Sequence, residues 1–285
     1  MISIVITACR EPSTVSRAIS SVLSQKIKNS EIIVVAPDKE TLNKAKKYRV
    51  KIVHDKGRGK PAALNLVFKK AKGNILVLTD GDVYLEKNSI KLLLAYFKDG
   101  NVGAVTGRPV ATDNRKTLLG YWANLLNDAA HLERIRRDKE NLFIFCSGYL
   151  FAMRNIIKKI PENCLDDAYI SSLIAKKGRK IRYSPNSKTY IKNPSTFSDW
   201  VMQKRRNAAG HEQIRKDLGI VMKSLKNEII YGWYKALTYP KNFREFIYTV
   251  LLFPARLYTW LLSFYDLKLK RRKVIELWKR IESTK

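Results

Sequence analysis

Asp80-Gly81-Asp82 follows directly on the apolar run Asn74–Thr79 (NILVLT). Two carboxylates two residues apart, leaving a buried strand through a glycine, can reach one divalent cation. Mg2+ and Mn2+ are hard ions that prefer oxygen ligands, often one or two carboxylates plus substrate phosphates. A plain turn is the alternative, because Asp and Gly are turn residues. The position at a carboxyl strand end, in a chain with 25 acidic residues, favours the metal. Upstream, Gly57-Arg58-Gly59-Lys60-Pro61 sets two glycines and two cations between a strand and a helix. Backbone N–H groups and Lys60 there can cradle a diphosphate, and a flexible basic loop is the alternative. Downstream, Leu165-Asp166-Asp167-Ala168 opens a helix with paired acids. Capping explains such a pair through the helix dipole. The other reading is a general base, because an adjacent like charge and burial both raise a carboxyl pKa.

The elements that position these residues follow from the pattern. Apolar runs at Ile2–Ala8, Glu31–Ala36, Val50–His54 and Asn74–Thr79 alternate with helix-like stretches at Ser13–Gln25, Thr41–Tyr48 and Pro61–Lys72. Ser13 is the expected cap of the first helix. Such alternation predicts right-handed βαβ units and a largely parallel sheet. Ligands bind such sheets beyond the carboxyl ends of the strands, which singles out Thr7–Glu11, Asp38, Lys56–Lys60 and Asp80–Asp82. Further on, Asn101–Thr106 reads as a strand closed by Gly107-Arg108-Pro109, and Thr117–Arg136 as a long amphipathic helix. Leu142–Met153 reads as two strands or one that turns at Ser147-Gly148, Leu165–Lys177 as a helix, and Arg179–Tyr183 and Lys188–Ile191 as weak strands. Trp200–Arg215 is basic and helix-like, and Phe246–Phe264 is apolar apart from Pro254 and Arg256.

Composition bounds the function. The 285 residues are 45% hydrophobic, which supports a core and excludes global disorder. The net charge of +30 calls for polyanionic partners: nucleic acid, anionic lipid or phosphorylated substrates. Three scattered cysteines without CxxC pairing fit a reducing compartment, with neither a disulfide scaffold nor a zinc site. The N-terminal apolar run has no basic lead and is too short for a signal peptide. Neither GxxxxGK[ST] nor a GxGxxG after the first strand is present. A basic nucleic-acid-binding protein is one competing reading, but no RNP, helix-turn-helix or zinc-finger cue accompanies the charge. A nucleotidyltransferase with a similar metal site is another, although TACREPS stands where its Gly-rich loop is expected.

The segments TACRE, EIIVVAPD, GKPAALN, LTDGD, CSGYLFAMR, LDDAYIS and QKRRN, in this order and spacing, resemble family-2 inverting glycosyltransferases with a GT-A fold. That group includes cellulose, hyaluronan and chitin synthases and dolichyl-phosphate sugar synthases. The resemblance covers roughly residues 1–210. It implies an α/β, Rossmann-like GT-A domain with a mixed, mostly parallel sheet over residues 1–215, followed by a helical apolar and basic extension over 216–285. It also implies the transfer of one sugar from a nucleoside-diphosphate sugar to an acceptor hydroxyl, with Mg2+ or Mn2+ as cofactor.

By the same resemblance, Asp80 and Asp82 match the DxD pair, with Asp82 the direct metal ligand and Asp80 contacting ribose or metal. Lys60 and Asn65 fall beside the nucleotide, and Thr7, Ala8 and Glu11 line the nucleoside site. Asp167 matches the catalytic base, with Asp166 in the neighbouring acidic position. Gln203 and Arg206 match the QxxRW segment that flanks diphosphate and acceptor. The usual base-reading aspartate is replaced by Ala36 or Pro37, with Asp38 as the substitute. The tryptophan of QxxRW is Asn207, which favours single transfer over processive synthesis.

For Phe246–Phe264 three placements stay open: a buried helix, a span, or an in-plane helix with Trp233, Tyr248, Tyr258 and Trp260 at headgroup level. A single span would carry the basic cluster Lys268–Lys273 away from the cytoplasmic side. The expected location is therefore the cytoplasmic face of a membrane, with an anionic lipid surface and a lipid-linked or glycan acceptor as partners and no nucleic acid.

Overall fold

A computed structural model describes residues 1–220, 236–270 and 282–284. One eight-stranded sheet forms the centre, built from β1 (Ile2–Thr7), β2 (Ser30–Ala36), β3 (Lys51–His54), β4 (Ile75–Asp80), β5 (Tyr84–Leu85), β6 (Val102–Ala111), β7 (Leu150–Arg154) and β8 (Lys180–Ile191). The strand order is β3-β2-β1-β4-β7-β6-β8-β5. β3, β2, β1 and β4 are parallel, β7 runs against both β4 and β6, and β8 is parallel to β6. The sheet is thus mixed, with its parallel half at the N-terminal side.

Helices cover both faces, which is why the inner strands read as continuous apolar runs. Ile4 and Ile6 of β1 pack toward α1 (Val15–Leu23), α2 (Lys39–Ala45) and α4 (Ser89–Ala95). Val5 points the other way, into a cluster with Leu64 and Val67 of α3 (Lys60–Lys70) and Ile170 and Ile174 of α6 (Asp166–Lys176). A third cluster joins α5 (Leu118–Lys139), α7 (Phe197–Leu218) and α8 (Phe243–Phe264) through Tyr121, Trp122, Trp200 and Leu252.

Several elements differ from their sequence-based expectations. Thr14, not Ser13, caps α1, and without a side-chain hydrogen bond. Gly107-Arg108-Pro109 does not close β6. The strand runs through to Ala111 because β8 continues beside it across register shifts, with Pro109 opposite Thr189. The two weak strand candidates near 180 and 190 are this one long β8. In the 142–153 stretch only Leu150–Arg154 is a strand, and the residues before it form a loop over the site.

α8 is turned inside out. Glu245, Thr249, Thr259, Ser263 and Asp266 face the domain and are buried. Phe243, Phe246, Ile247, Val250, Leu251, Leu257, Tyr258, Leu261 and Phe264 are exposed, at steps of three and four that define one outward stripe. Polar bonds latch the inner face. Arg115 binds Glu245 through both carboxylate oxygens at 2.7 and 2.8 Å, and Tyr121 Oη meets Thr249 Oγ1 at 2.6 Å. Trp122 donates to Tyr248 O at 2.6 Å, and Arg205 of α7 pairs with Asp266. The helix packs on the domain through this inner face, and 28% of its most apolar window is buried. Trp233 and residues 271–273 of the basic cluster lie outside the described residues.

Candidate active site at the carboxyl ends of the parallel strands

The four parallel strands deliver their exits to one cleft of about 390 Å³. β1 contributes Thr7, Ala8 and Glu11, the end of β2 contributes Pro37, and β3 is followed by Asp55 and Gly57. α3 opens on the cleft with Gly59, Lys60 and Ala63, and β4 ends there in Asp80 and Asp82. Gln203 and Arg206 of α7 reach in from the far side.

Asp80 sits opposite Thr7 in the β1–β4 register, and Thr7 Oγ1 donates to Asp80 Oδ1 at 2.9 Å. The glycine between the two acids is required by space. A Cβ on Gly81 would lie 2.5 Å from Glu11 Oε2 and 2.6 Å from Ala8 Cβ. Gly81 N–H also donates to Thr7 O at 2.8 Å, so the β1 exit and the acidic turn are packed as one unit. Gly59, at φ +97°, supplies the left-handed residue that lets the chain enter α3 directly at Lys60.

Lys60 is the electrostatic centre. Its Nζ lies 2.7 Å from Asp80 Oδ1, 3.4 Å from Asp166 Oδ2 and 3.3 Å from Gly148 O. Burial alone would lower its pKa, but Asp166, Asp80 and Asp167 around it push the value up, so the ammonium stays charged. Asp80 is raised by burial and by the like charge of Asp82, with Lys60 opposing. Asp166 is raised by burial and by Asp167, again against Lys60.

Asp167 stands in the first turn of α6, where the helix dipole favours an anion. Its Oδ1 accepts from Ala168 N–H at 2.8 Å and its Oδ2 from Gly148 N–H at 2.8 Å. Gly148 thus touches both Lys60 and Asp167, and α6 is further held by Ser171, which bonds Asp167 O at 2.6 Å and Cys146 N at 2.9 Å.

Two expected substrate contacts are placed elsewhere. Asn65 is buried in α3, where it donates to Ile160 O and accepts from Ile160 N, each at 2.8 Å. That reciprocal pair pins the loop ahead of α6, and Asn65 does not line the cleft. Asp38 caps α2 through Thr41 N at 2.9 Å and accepts Arg10 N at 2.6 Å. Burial opposes its ionisation, yet the bonds from Thr41 and Arg10 hold its pKa low. It braces the β1 exit loop, while Pro37 is the β2 residue that lines the cleft.

Sequence reasoning passed over Asp55 and Tyr149, both in the cleft wall. Asp55 stands one residue before the segment singled out after β3, and its Oδ1 takes Gly57 N at 2.6 Å. Tyr149 gave no signal beyond its place in CSGYLFAMR. Burial, then Asp82 and Asp80, push its pKa up, so the phenol stays protonated. Arg206 is lowered by burial, with Tyr149, Asp166, Asp167 and Asp80 sustaining its charge.

The model of glycosyl transferase family 2 matches residues 3–161, more than half of the chain; Lys60, Asp80 and Asp82 fall inside the match, and Asp166, Asp167, Gln203 and Arg206 beyond it. The chain belongs to that family. A probable glycosyltransferase of Bacillus subtilis, YdaM, is 28% identical over 222 residues, covering 75% of this chain and 51% of the relative. The poly-beta-1,6-N-acetyl-D-glucosamine synthase of Staphylococcus aureus is 23% identical over 238 residues, covering 78% of this chain and 58% of the relative. The chain thus spans little more than half the length of these curated relatives. Among solved structures, the mannosyltransferase PcManGT from Pyrobaculum calidifontis, in complex with GDP-Man and Mn2+, aligns with a TM-score of 0.60 at 16% identity. The alignment covers 97% of this chain and 82% of that one, so the architecture is shared, and the fold is GT-A as expected.

Asp80 and Asp82 fit a divalent cation by donor chemistry: two carboxylate arms on one tight turn in the wall of the cleft. Among the described residues no three His, Cys, Asp or Glu side chains converge as a metal cage. The remaining ligands would therefore come from substrate phosphates and water, the usual arrangement for Mg2+.

Proposed function

We propose that this member of the family transfers a single sugar from a nucleoside-diphosphate sugar to an acceptor hydroxyl, with inversion at the anomeric carbon. The observation that carries the reading is the convergence of Asp80, Lys60, Gly148, Asp166 and Asp167 in one bonded cluster, of which Lys60 and Asp80 line the cleft. The donor's diphosphate lies against the α3 N-terminus and Lys60, with Arg206 opposite, so fixed positive charge is in place where the leaving group becomes negative. A divalent cation held by Asp82 and Asp80, when bound, neutralises charge on that diphosphate. Asp167 takes the proton from the acceptor hydroxyl. Its two backbone N–H donors, from Gly148 and Ala168, fix the carboxylate's direction for that transfer. Thr7, Ala8, Glu11 and Pro37 form the nucleoside end of the cleft.

We further infer two units, a GT-A domain over residues 1–215 and a membrane-associating extension over 216–285. α8 lies in the plane of an anionic cytoplasmic leaflet: its outward face is apolar, its inward face is latched to the domain, and the +30 charge favours anionic lipid. The acceptor is lipid-linked or a glycan at that surface. Asn207, where processive synthases carry a tryptophan, supports single transfer.

The Pyrobaculum structure makes GDP-mannose with Mn2+ the first donor pair to try, with UDP-sugars second. A nucleoside diphosphate that binds the native state raises the melting temperature, and Mn2+ should enlarge the rise. Asp82→Asn should abolish the Mn2+ increment. No thermal response to any nucleoside diphosphate, with or without metal, overturns the reading.

A further inference from the structure

A second cationic cluster lies within electrostatic reach of Asp167, built from residues that do not line the donor cleft. Asp128, His131 and Arg134 follow at three-residue steps along α5 and so lie near one face of it, the side packed on β6 and β8. From β8, the buried Tyr183 brings its hydroxyl to 2.7 Å from His131 Nδ1. From β6, Arg108 reaches Asp128 Oδ1 at 3.3 Å, and its Nε is buried without a hydrogen-bond partner among the described residues. Asp128 is shared, since Tyr239 also donates to its Oδ2 at 2.8 Å. Arg134 forms no hydrogen bond or ion pair with a described residue; its electrostatic neighbours are Tyr183, Asp167 and Cys146.

The charge balance of this pocket is incomplete. Burial lowers the pKa of Arg134, and burial together with Arg108 and Arg134 lowers that of His131, with Asp128 opposing. Both guanidinium groups are half-buried and keep spare donors, so an anion arriving from solvent would find them already gathered. Planar N–H forks match phosphate oxygens in pairs. α5 also connects this recess to the lipid-facing helix. Tyr121 and Trp122, which hold α8, stand about 20 Å from Arg134 along the helix axis.

We propose that Arg108 and Arg134, with His131 and Tyr183 at their side, bind a phosphate group carried by the acceptor and so bring its hydroxyl to Asp167. The role given to the acceptor rests on the function proposed above; the anion site itself rests on Arg134 and on the spare Nε donor of Arg108. Phosphate of this kind comes from a lipid-borne ester or from a soluble one.

The chain has three histidines, so histidine-selective NMR of the full protein in detergent reads the site directly. With the donor cleft filled by GDP and Mg2+, inorganic phosphate and octyl phosphate are titrated separately. The expected result is a saturable shift of His131, with His54 and His211 unmoved. Arg134→Gln should weaken binding at least roughly tenfold, and Arg134→Lys should weaken it less, because a point charge replaces a bidentate fork. Tighter binding of octyl phosphate assigns a lipid-borne acceptor, and equal binding assigns a soluble ester. A silent His131, equal shifts in all three histidines, or unchanged affinity in Arg134→Gln overturns the site. A normal thermal response to GDP beside a silent His131 rejects this inference alone. A His131 response without any nucleotide response rejects the donor assignment and leaves the anion site standing.

Discussion

Gly148 bridges Lys60 and Asp167: its carbonyl receives the lysine ammonium at 3.3 Å, and its N–H donates to the aspartate at 2.8 Å. The diphosphate side and the proposed base are thereby held in register by one residue without a side chain. A Cβ there would lie 3.2 Å from Asp167 Oδ2, tight enough to push the carboxylate aside by a fraction of an ångström, with Lys60 Nζ in ordinary contact at 3.4 Å. Gly148→Ala should lower kcat by roughly ten- to a hundredfold, as small misplacements of reacting groups do. Donor KM and melting temperature should change little. Steady-state kinetics beside a thermal melt check this, and an unaltered kcat removes Gly148 from the machinery.

Asp167→Asn keeps the shape but cannot accept a proton. Turnover should fall by about two to four orders of magnitude, the usual worth of a general base. Nucleoside-diphosphate binding should survive, which separates this variant from Asp82→Asn. Single-turnover transfer and a binding isotherm on the same preparations make the comparison.

Asn65 offers a control of the opposite kind. Asn65→Ala leaves both Ile160 backbone groups without their partner in a buried place, at a cost of about 1–3 kcal/mol each. Stability should drop while nucleotide affinity holds. Urea titration and isothermal calorimetry report the two quantities, and a large loss of affinity in a folded protein would return Asn65 to the cleft.

The alternation of apolar runs and helices made the parallel half of the sheet legible in the chain itself, and with it the gathering of Thr7, Lys60 and Asp80. Asp80-Gly81-Asp82 stood out because acids are scarce and this pair ends a buried strand. The antiparallel half was harder. β6 and β8 are continuous only because each supplies the other's hydrogen bonds across Gly107-Arg108-Pro109, and pairing of that range leaves no local trace. Asn65 misled for a similar reason, since its motif position says nothing of Ile160, 95 residues away. Arg134 was invisible among many surface cations until tertiary packing brought it within electrostatic reach of Asp167.

The latch between Arg115 and Glu245 carries a pH signature. Arg115 bonds, outweighing burial, hold the Glu245 carboxyl down at about 2, against an ordinary 4.5. A depressed folded-state value contributes stability above the unfolded pKa that is lost as pH falls toward the folded one. Wild type should therefore exceed Glu245→Gln by on the order of 2 kcal/mol above about pH 5, and the gap should close toward pH 2. Denaturant midpoints across this range test it. A gap that stays constant with pH shows that the ion pair is not its source.

The outward stripe of α8 makes a separate prediction. Leu257→Glu with Leu261→Glu replaces exposed side chains and touches no inner contact. Co-sedimentation with vesicles of anionic phospholipid should fall at least roughly tenfold, because charge placed in the acyl boundary is costly. The melt in detergent should be unchanged. Equal sedimentation of variant and parent means that charge alone holds the protein to lipid.

The polar clasps at Glu245 and Asp266 are separated by about 30 Å of helix. A rod gripped near both ends cannot roll beneath the body that grips it. On the proposed membrane surface, an enzyme moored by a slack leash would tumble and offer its mouth in every direction, whereas this one would keep a constant heading. Choice of acceptor then becomes partly a matter of reach, favouring whatever rises from the bilayer to the one height and side at which the cleft is held.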